Sequence, residues 1–203
     1  MRWLPVLSLK HSYALIAPFY DAALAAATRA QRVRSLTALP HEPARILLNG
    51  VGTGLDLPHL PRQHRYTGLD LTHAMLRRTL PRAKGLDFCC VQGDAQNLPF
   101  ADGSFDHAIL HLILAVVPEP AACLAETARI LAPGGSILIF DKFLQPQQRA
   151  PLRRLINPLL RRVATRLDVV FEEVLEKTPT LALESDQPAL ASGWFRLIRL
   201  KRL

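Results

Sequence analysis

Three glycines on alternate positions, Gly50, Gly52 and Gly54, close an apolar run that begins at Ile46. Such a run reads as a buried strand, a tight turn and the start of a helix. Glycine there permits positive φ and leaves no Cβ between the backbone and a ligand lying against it. A helix start beyond the turn would add unpaired N–H groups and a positive dipole end. The chemistry this serves is the holding of a nucleotide-type cofactor. Asp70 ends the next strand ~20 residues on, where a carboxylate can accept hydrogen bonds from both ribose hydroxyls. Asp94 ends the strand after that, on the same rim.

The elements that must position these residues alternate in kind. Strands are expected at Ile46–Leu48, Tyr66–Leu71, Leu86–Val91, His107–Leu112 and Ser136–Phe140. Between them lie a helical segment broken early by Pro58 and Pro61, a helix from His73 capped by Thr72 or Asp70, and a helix from Glu119 to Leu131 ended by Pro133-Gly134-Gly135. Four strand–helix alternations argue for an α/β fold with a parallel sheet. Val169–Lys177 reads as a further covering helix. Leu181–Glu184 and Trp194–Leu200 read as a closing hairpin with Gly193 near its turn.

Two segments stand outside that rhythm. Residues 12–36 are helical in tendency, with Tyr13, Phe19 and Tyr20 giving an aromatic stretch that packs on the body or walls a pocket. Residues 147–167 carry Arg149, Arg153, Arg154, Arg161, Arg162 and Arg166, and no acid. Leu152, Leu155, Ile156, Leu159, Leu160 and Val163 share one face of that segment, a layout suited to an anionic membrane surface or to packing on the sheet and walling an acceptor pocket, the second being favoured by Pro158 and the shortness of the stripe.

A chain of 203 residues fits one domain, 1–203, with 1–40 as a helical lid or packing segment and 144–168 as an arginine-rich helical insertion. No apolar stretch is long enough to span a bilayer, and Pro5 and Lys10 break the greasy start, so a signal peptide is not expected. Cys89, Cys90 and Cys123 lack metal-ligand spacing, which leaves no metal site and points to buried, reduced thiols in a cytoplasmic protein. The net charge of +8 suits an anionic partner. The basic residues are not interleaved with aromatics, which argues against nucleic acid. Oligomeric state is not encoded in any pattern found.

Taken together, these residues resemble the class I S-adenosylmethionine-dependent methyltransferases, by motif over residues 44–143 and by element order elsewhere. Gly50-Val51-Gly52-Thr53-Gly54 is similar to that family's G-x-G-x-G loop, whereas the dinucleotide fingerprint wants a glycine at Leu55. Gly68-Leu69-Asp70-Leu71, followed by Met75-Leu76, resembles the ribose-binding segment. Gly93-Asp94-Ala95, with Leu98-Pro99-Phe100 and Ser104-Phe105-Asp106, resembles the adenine-binding strand end and its loop. Ile130 to Gly135 resembles the signature before strand five.

The resemblance implies a Rossmann-like three-layer sandwich on a mostly parallel seven-stranded sheet with an antiparallel C-terminal hairpin. It implies S-adenosyl-L-methionine as cofactor and S-adenosyl-L-homocysteine as product. It gives cofactor-binding roles to Gly50, Val51, Gly52, Thr53, Gly54, Asp70, Leu71, Met75, Asp94, Ala95 and His111. Within the family, the run to Pro58 and Ala115–Pro120 look most like bacterial phosphatidylethanolamine N-methyltransferases, with quinone-ring C-methyltransferases next. The acceptor implied is small and amphipathic or lipid-like, and a phospholipid amine is favoured. Attachment to the inner face of a membrane is the matching expectation.

Two departures from the family pattern matter. Leu48 stands where the family usually has an acid that helps hold the methionyl ammonium, so Leu48→Glu should tighten cofactor binding or leave it unchanged unless Asp56 compensates. Asp141-Lys142-Phe143 replaces the Asn-His-Phe common in the phospholipid enzymes. Methyl transfer from an activated cofactor needs mainly alignment and exclusion of water, with a general base optional. His111 and Lys142 are the ionisable groups nearest the expected reaction centre, and Tyr13, Tyr20, Asp141 and Lys142 are the candidates for an acceptor pocket. An NAD-dependent oxidoreductase is disfavoured by Leu55 and by the lack of a Tyr-x-x-x-Lys pair. A non-catalytic cofactor-binding module is favoured only by Leu48.

Overall fold

The computed structural model describes residues 26–144 and 168–203. Its sheet has seven strands in the order β3 (Asp87–Gln92), β2 (Arg65–Asp70), β1 (Arg45–Asn49), β4 (Phe105–His111), β5 (Leu131–Lys142), β7 (Phe195–Arg202) and β6 (Leu181–Leu190). The first five run parallel, and β7 is antiparallel to both β5 and β6. The strand order turns back between β1 and β4, and in open α/β sheets the crevice outside the carboxyl ends at such a point takes the ligand.

Helices α1 (residues 26–36), α2 (His73–Thr79), α3 (Pro120–Ile130) and α4 (Phe171–Glu176) cover the sheet. Strand periodicity divides the core between the two faces. Leu47, Ala108, Leu110, Ile137 and Ile139 share one cluster with Leu124 of α3 and Phe171 and Val174 of α4. Ile46, Leu48, Ile109 and Leu138 share the other with Leu36 of α1 and Leu76 of α2. This is the expected three-layer sandwich, and its doubly covered central strands explain why they read as continuous apolar runs.

Four local expectations are corrected. The glycine turn leads into a single 3-10 turn, Leu57–His59, because Pro58 lies in that turn and Pro61 follows it; no helix dipole reaches the loop. β5 starts at Leu131, directly after α3, so Pro133-Gly134-Gly135 lies inside an irregular strand and is not a separate connector. A Cβ on Gly135 would sit 2.5 Å from the Asp106 carbonyl oxygen, so the strands' close approach at the bulge demands glycine. β6 runs on to Leu190 through Pro188, which an edge strand tolerates. Cys89 is exposed instead of buried, because β3 is an edge strand with a loop, not a helix, after it.

The hairpin is tied down by Arg196 of β7, whose guanidinium pairs with Glu172 of α4 (2.8 Å) and with Asp186 of β6. It also lies over the Phe171 ring at 5.4 Å. The ends of the arginine-rich segment meet, since Leu144 N–H donates to the Val169 carbonyl (2.8 Å). Residues 1–25, with Tyr13 and Tyr20, and residues 145–167 lie outside the described residues; of the expected 1–40 lid or packing segment the described part is 26–40, with α1, and of the expected 144–168 insertion only its two end residues.

Leu48 is 1% exposed among apolar neighbours. A carboxylate there would be buried without a built partner, which costs several kcal/mol. Leu48→Glu is therefore expected to lower stability by at least about 3 kcal/mol in urea melts, while Leu48→Met changes it by less than about 1.5 kcal/mol. Unchanged stability with tighter cofactor binding would mean that the new acid reaches the polar cluster at the strand ends instead.

Candidate functional site

The glycine turn is fixed mainly from β2 and α2. Gly50 and Val51 N–H both donate to the Leu69 carbonyl, at 2.9 and 2.8 Å. Gly52 N–H donates to Asp70 Oδ2 (3.1 Å), and Thr79 Oγ1 donates to the Gly52 carbonyl (2.7 Å). Arg82 donates to the Thr53 carbonyl. Gly52 has φ +57, yet a Cβ built there would meet nothing within 4 Å. Its glycine is required by backbone conformation, and among the described residues nothing lies against that position.

Asp70 is half-buried, and its other oxygen accepts from Thr72 N–H (2.9 Å) and Thr72 Oγ1 (3.1 Å). Burial raises its pKa, and the bonds from Thr72 and Gly52 oppose that shift. Thr72 also caps α2 by accepting from Met75 N–H (3.4 Å), which sets Met75 half-buried beside exposed Leu71. Asp94 is exposed and accepts from Gln96 N–H (2.9 Å), with Ala95 buried behind it. The loop from Leu98 to Asp102 is stitched to α3 by Arg129, which donates to the Leu98 and Phe100 carbonyls and pairs with Asp102.

On the α1 side, Asp56 forms a buried polar cluster that joins three elements. Its carboxylate pairs with Arg32 of α1 (2.8 Å) and with His111 Nδ1 at the end of β4 (2.7 Å). The second His111 nitrogen lies 3.0 Å from Ser35 Oγ, and Arg32 Nε donates to Thr28 Oγ1 (3.0 Å). Burial alone would raise the Asp56 carboxyl; the charges of His111 and Arg32 and their hydrogen bonds outweigh it and hold it well below the usual carboxylate range. Both ring nitrogens of His111 are engaged, so the imidazole has no free nitrogen to offer a substrate.

Past His111 the chain turns through Leu112 at φ +62, a conformation rare for a non-glycine residue and anchored by its N–H bond to the Phe140 carbonyl (2.8 Å). Asp141, only 1% exposed, accepts from Ala115 N–H (3.1 Å) and Lys142 N–H (2.8 Å) and so clamps that loop to β5. Burial pushes its carboxyl up to about 6. Lys142 is half-buried; burial lowers its pKa and the Asp141 charge opposes the shift.

The fold thus brings Gly50–Gly54, Asp70, Met75, Asp94 and Ala95 to one carboxyl-end rim, with His111, Asp141 and Lys142 ending the next two strands. His111 and Asp141 are turned inward as structural partners. The sequence gives no warning of Arg32, Ser35, Thr79 or Arg82, since each acts across a gap of many residues. The i, i+3 pair Glu126–Arg129, by contrast, is visible as a local ion pair.

Because folded Asp56 titrates below its unfolded value of ~3.9, its stabilisation is present above that range and is lost as pH falls through it. Asp141 has the opposite sign, costing stability as pH rises from ~3.9 to about 6. Asp56→Asn leaves Arg32 buried without its counter-charge and is expected to cost about 3–5 kcal/mol at pH 7. Its loss of stability in acid should be shallower than that of the unmodified protein in urea melts run at a series of pH values. Coincident acid limbs would show that Asp56 is not held low.

A family model for a methyltransferase domain matches residues 47–139, the span from β1 to β5. Phosphatidylethanolamine N-methyltransferase of Cereibacter sphaeroides is 30% identical over 190 residues, covering 90% of this chain and 92% of that protein. Demethylmenaquinone methyltransferase of Paenarthrobacter aurescens is 30% identical over 155 residues, covering 73% of this chain and 60% of that protein. The fold is shared with a SAM-dependent methyltransferase of Thermotoga maritima at a TM-score of 0.71 and 19% identity, over 96% of this chain and all of that one. With the sheet order, the pinned glycine loop and these similarities in hand, the chain belongs to the class I S-adenosylmethionine-dependent methyltransferases.

Proposed function

We propose that this methyltransferase transfers its methyl group to a small amphipathic or lipid-like acceptor, with the amine of a phospholipid favoured. What carries the acceptor is the similarity to phosphatidylethanolamine N-methyltransferase along nearly the whole of both chains. The similarity to a demethylmenaquinone methyltransferase supports a quinone ring as the second reading.

The residues fit S-adenosylmethionine in the roles assigned to them. Among the described residues nothing lies against Gly52, so a ligand can lie on the backbone there, and the Asp70 carboxylate borders the same loop. Asp70 would take the ribose hydroxyls, with Leu71 and Met75 beside it and Asp94 and Ala95 at the adenine end. Gly50, Val51, Thr53 and Gly54 would form the cradle. The cofactor supplies an electrophilic methyl on sulfur.

An acceptor amine would have to be held in line with that methyl, with water kept out of the gap between them. The chain's part is to align and dehydrate the pair, which is worth ~7–11 kcal/mol in well-oriented systems. Lys142, whose ammonium is disfavoured by burial, is the group proposed to take the proton released from the methylated amine. His111, with both nitrogens engaged, would position the β4 end and so border the cofactor without moving a proton.

Gly52→Ala should abolish most cofactor binding, while strain at φ +57 costs only about 1–2 kcal/mol of stability. Asp70→Asn should weaken cofactor binding by about 1.5–3 kcal/mol. Calorimetry with S-adenosylhomocysteine tests both, and full-strength binding in the two variants would refute the cradle. A product-mass assay with labelled cofactor over phosphatidylethanolamine, quinols and small amines tests the acceptor. Label appearing only in quinols would move the reading to the ring methyltransferases.

A further inference from the structure

α1 and the arm that follows the glycine turn border a cavity of about 310 Å³, lined by Arg29, Arg32, Leu55, Pro58, His59 and Arg82. Three arginines and a histidine line it, and no acid is among the described lining residues. The acid behind them, Asp56, is 5% exposed, with one oxygen on Arg32 and the other on His111.

The cations are not merely floating side chains. Arg32 is itself 5% exposed and is fixed at two points, by Asp56 and by the Thr28 hydroxyl. Arg82 is held by the Thr53 carbonyl of the glycine turn. Arg29 has no hydrogen bond or ion pair among the described residues, so its fork of donors is uncommitted. Like charges gathered at a cavity repel one another, and an anion entering it relieves that repulsion and finds donors already placed. Several guanidinium forks suit a tetrahedral oxyanion, which accepts bidentate hydrogen bonds from more than one direction.

We propose that this cavity is a phosphate subsite, which takes the phosphodiester of the acceptor's headgroup while the amine of the same headgroup is methylated. The inference rests on the phospholipid reading of the acceptor and adds the feature by which a phospholipid would be told from a quinol. Leu55 follows Gly54 directly, so the subsite borders the arm of the loop that cradles the cofactor. An amine two carbons from a phosphate is the kind of acceptor such an arrangement would anchor. Leu55 and Pro58 supply apolar wall on the same side.

The test uses the full chain and the double variant Arg29→Gln/His59→Gln, which leaves Arg32 and Arg82 in place. Isothermal titrations with inorganic phosphate, with glycerophosphoethanolamine and with ethanolamine separate the phosphate from the amine. Phosphate and glycerophosphoethanolamine should bind the unmodified protein, and ethanolamine alone should not. The double variant should lose at least about tenfold in affinity for both, and in KM for phosphatidylethanolamine, as expected for lost hydrogen bonds to a charged group. Its affinity for S-adenosylhomocysteine should be unchanged.

Equal phosphate affinity in the two proteins overturns the subsite. So does displacement of phosphate by S-adenosylhomocysteine, which would assign the cavity to the cofactor. Tenfold weaker phosphate binding in a protein that methylates only quinols would keep an anion subsite but overturn its role as a headgroup anchor. That outcome defeats the acceptor reading at the same time. Phospholipid methylation with an unaltered KM in the double variant would defeat the subsite while the acceptor reading stands.

Discussion

A carboxylate buried in the body of the protein constrains everything around the glycine loop. Asp56 can stay ionised where it lies only because Arg32 and His111 both reach it, and a half-completed arrangement would leave a buried charge unpaired. The three residues come from α1, from the arm after the glycine turn and from the end of β4. A shift of any one of those elements takes at least one partner from the buried carboxylate. Such clusters are weak contributors to net stability but strict about geometry, and here the geometry they fix is the spacing between the two loops that frame the ligand crevice.

Three acids at this rim meet three different fates, and the differences follow from their partners. Asp56 has the Arg32 guanidinium and the His111 imidazole against it and is held low. Asp141 is as deeply buried, but its hydrogen-bond donors are backbone N–H groups, so burial raises it to about 6 despite them and despite the nearby Lys142 charge. Asp70 is half-buried and ties Gly52 and Thr72 together, with burial raising its pKa against those bonds. Backbone amides orient a carboxylate well; whole charges are needed to keep it ionised where water is excluded.

The backbone architecture was legible in the sequence because strands buried on both faces leave an unmistakable apolar signature and glycine, proline and aspartate punctuate their ends. The punctuation alone puts Ile46–Gly54, Asp70 and Asp94 on one rim. Local chemistry also misled where two punctuators competed: Pro58 and Pro61 reduced the expected helix to one 3-10 turn, and Leu131 took up strand pairing before Pro133-Gly134-Gly135. Buriedness of Cys89 failed because an edge position is a property of sheet order, which residue patterns alone do not encode. The Arg32–Asp56–His111–Ser35 cluster was invisible as a whole, since its members are scattered over three elements. Of its members only Asp56 is singled out by the sequence, as an acid placed to compensate for Leu48.

The position of β7 has a consequence for how the sheet comes apart. β6 precedes β7 in the chain yet touches the sheet only through it. Loss of the β5–β7 ladder therefore frees both outer strands together, along with the grip of Arg196 on α4. The outer hairpin is one cooperative unit hinged on a single ladder, and its amides should exchange with solvent as a group. Because β5 carries Asp141 and Lys142 at its end, local opening of that unit would loosen one wall of the crevice while the β1–β4 core and the glycine loop stay closed.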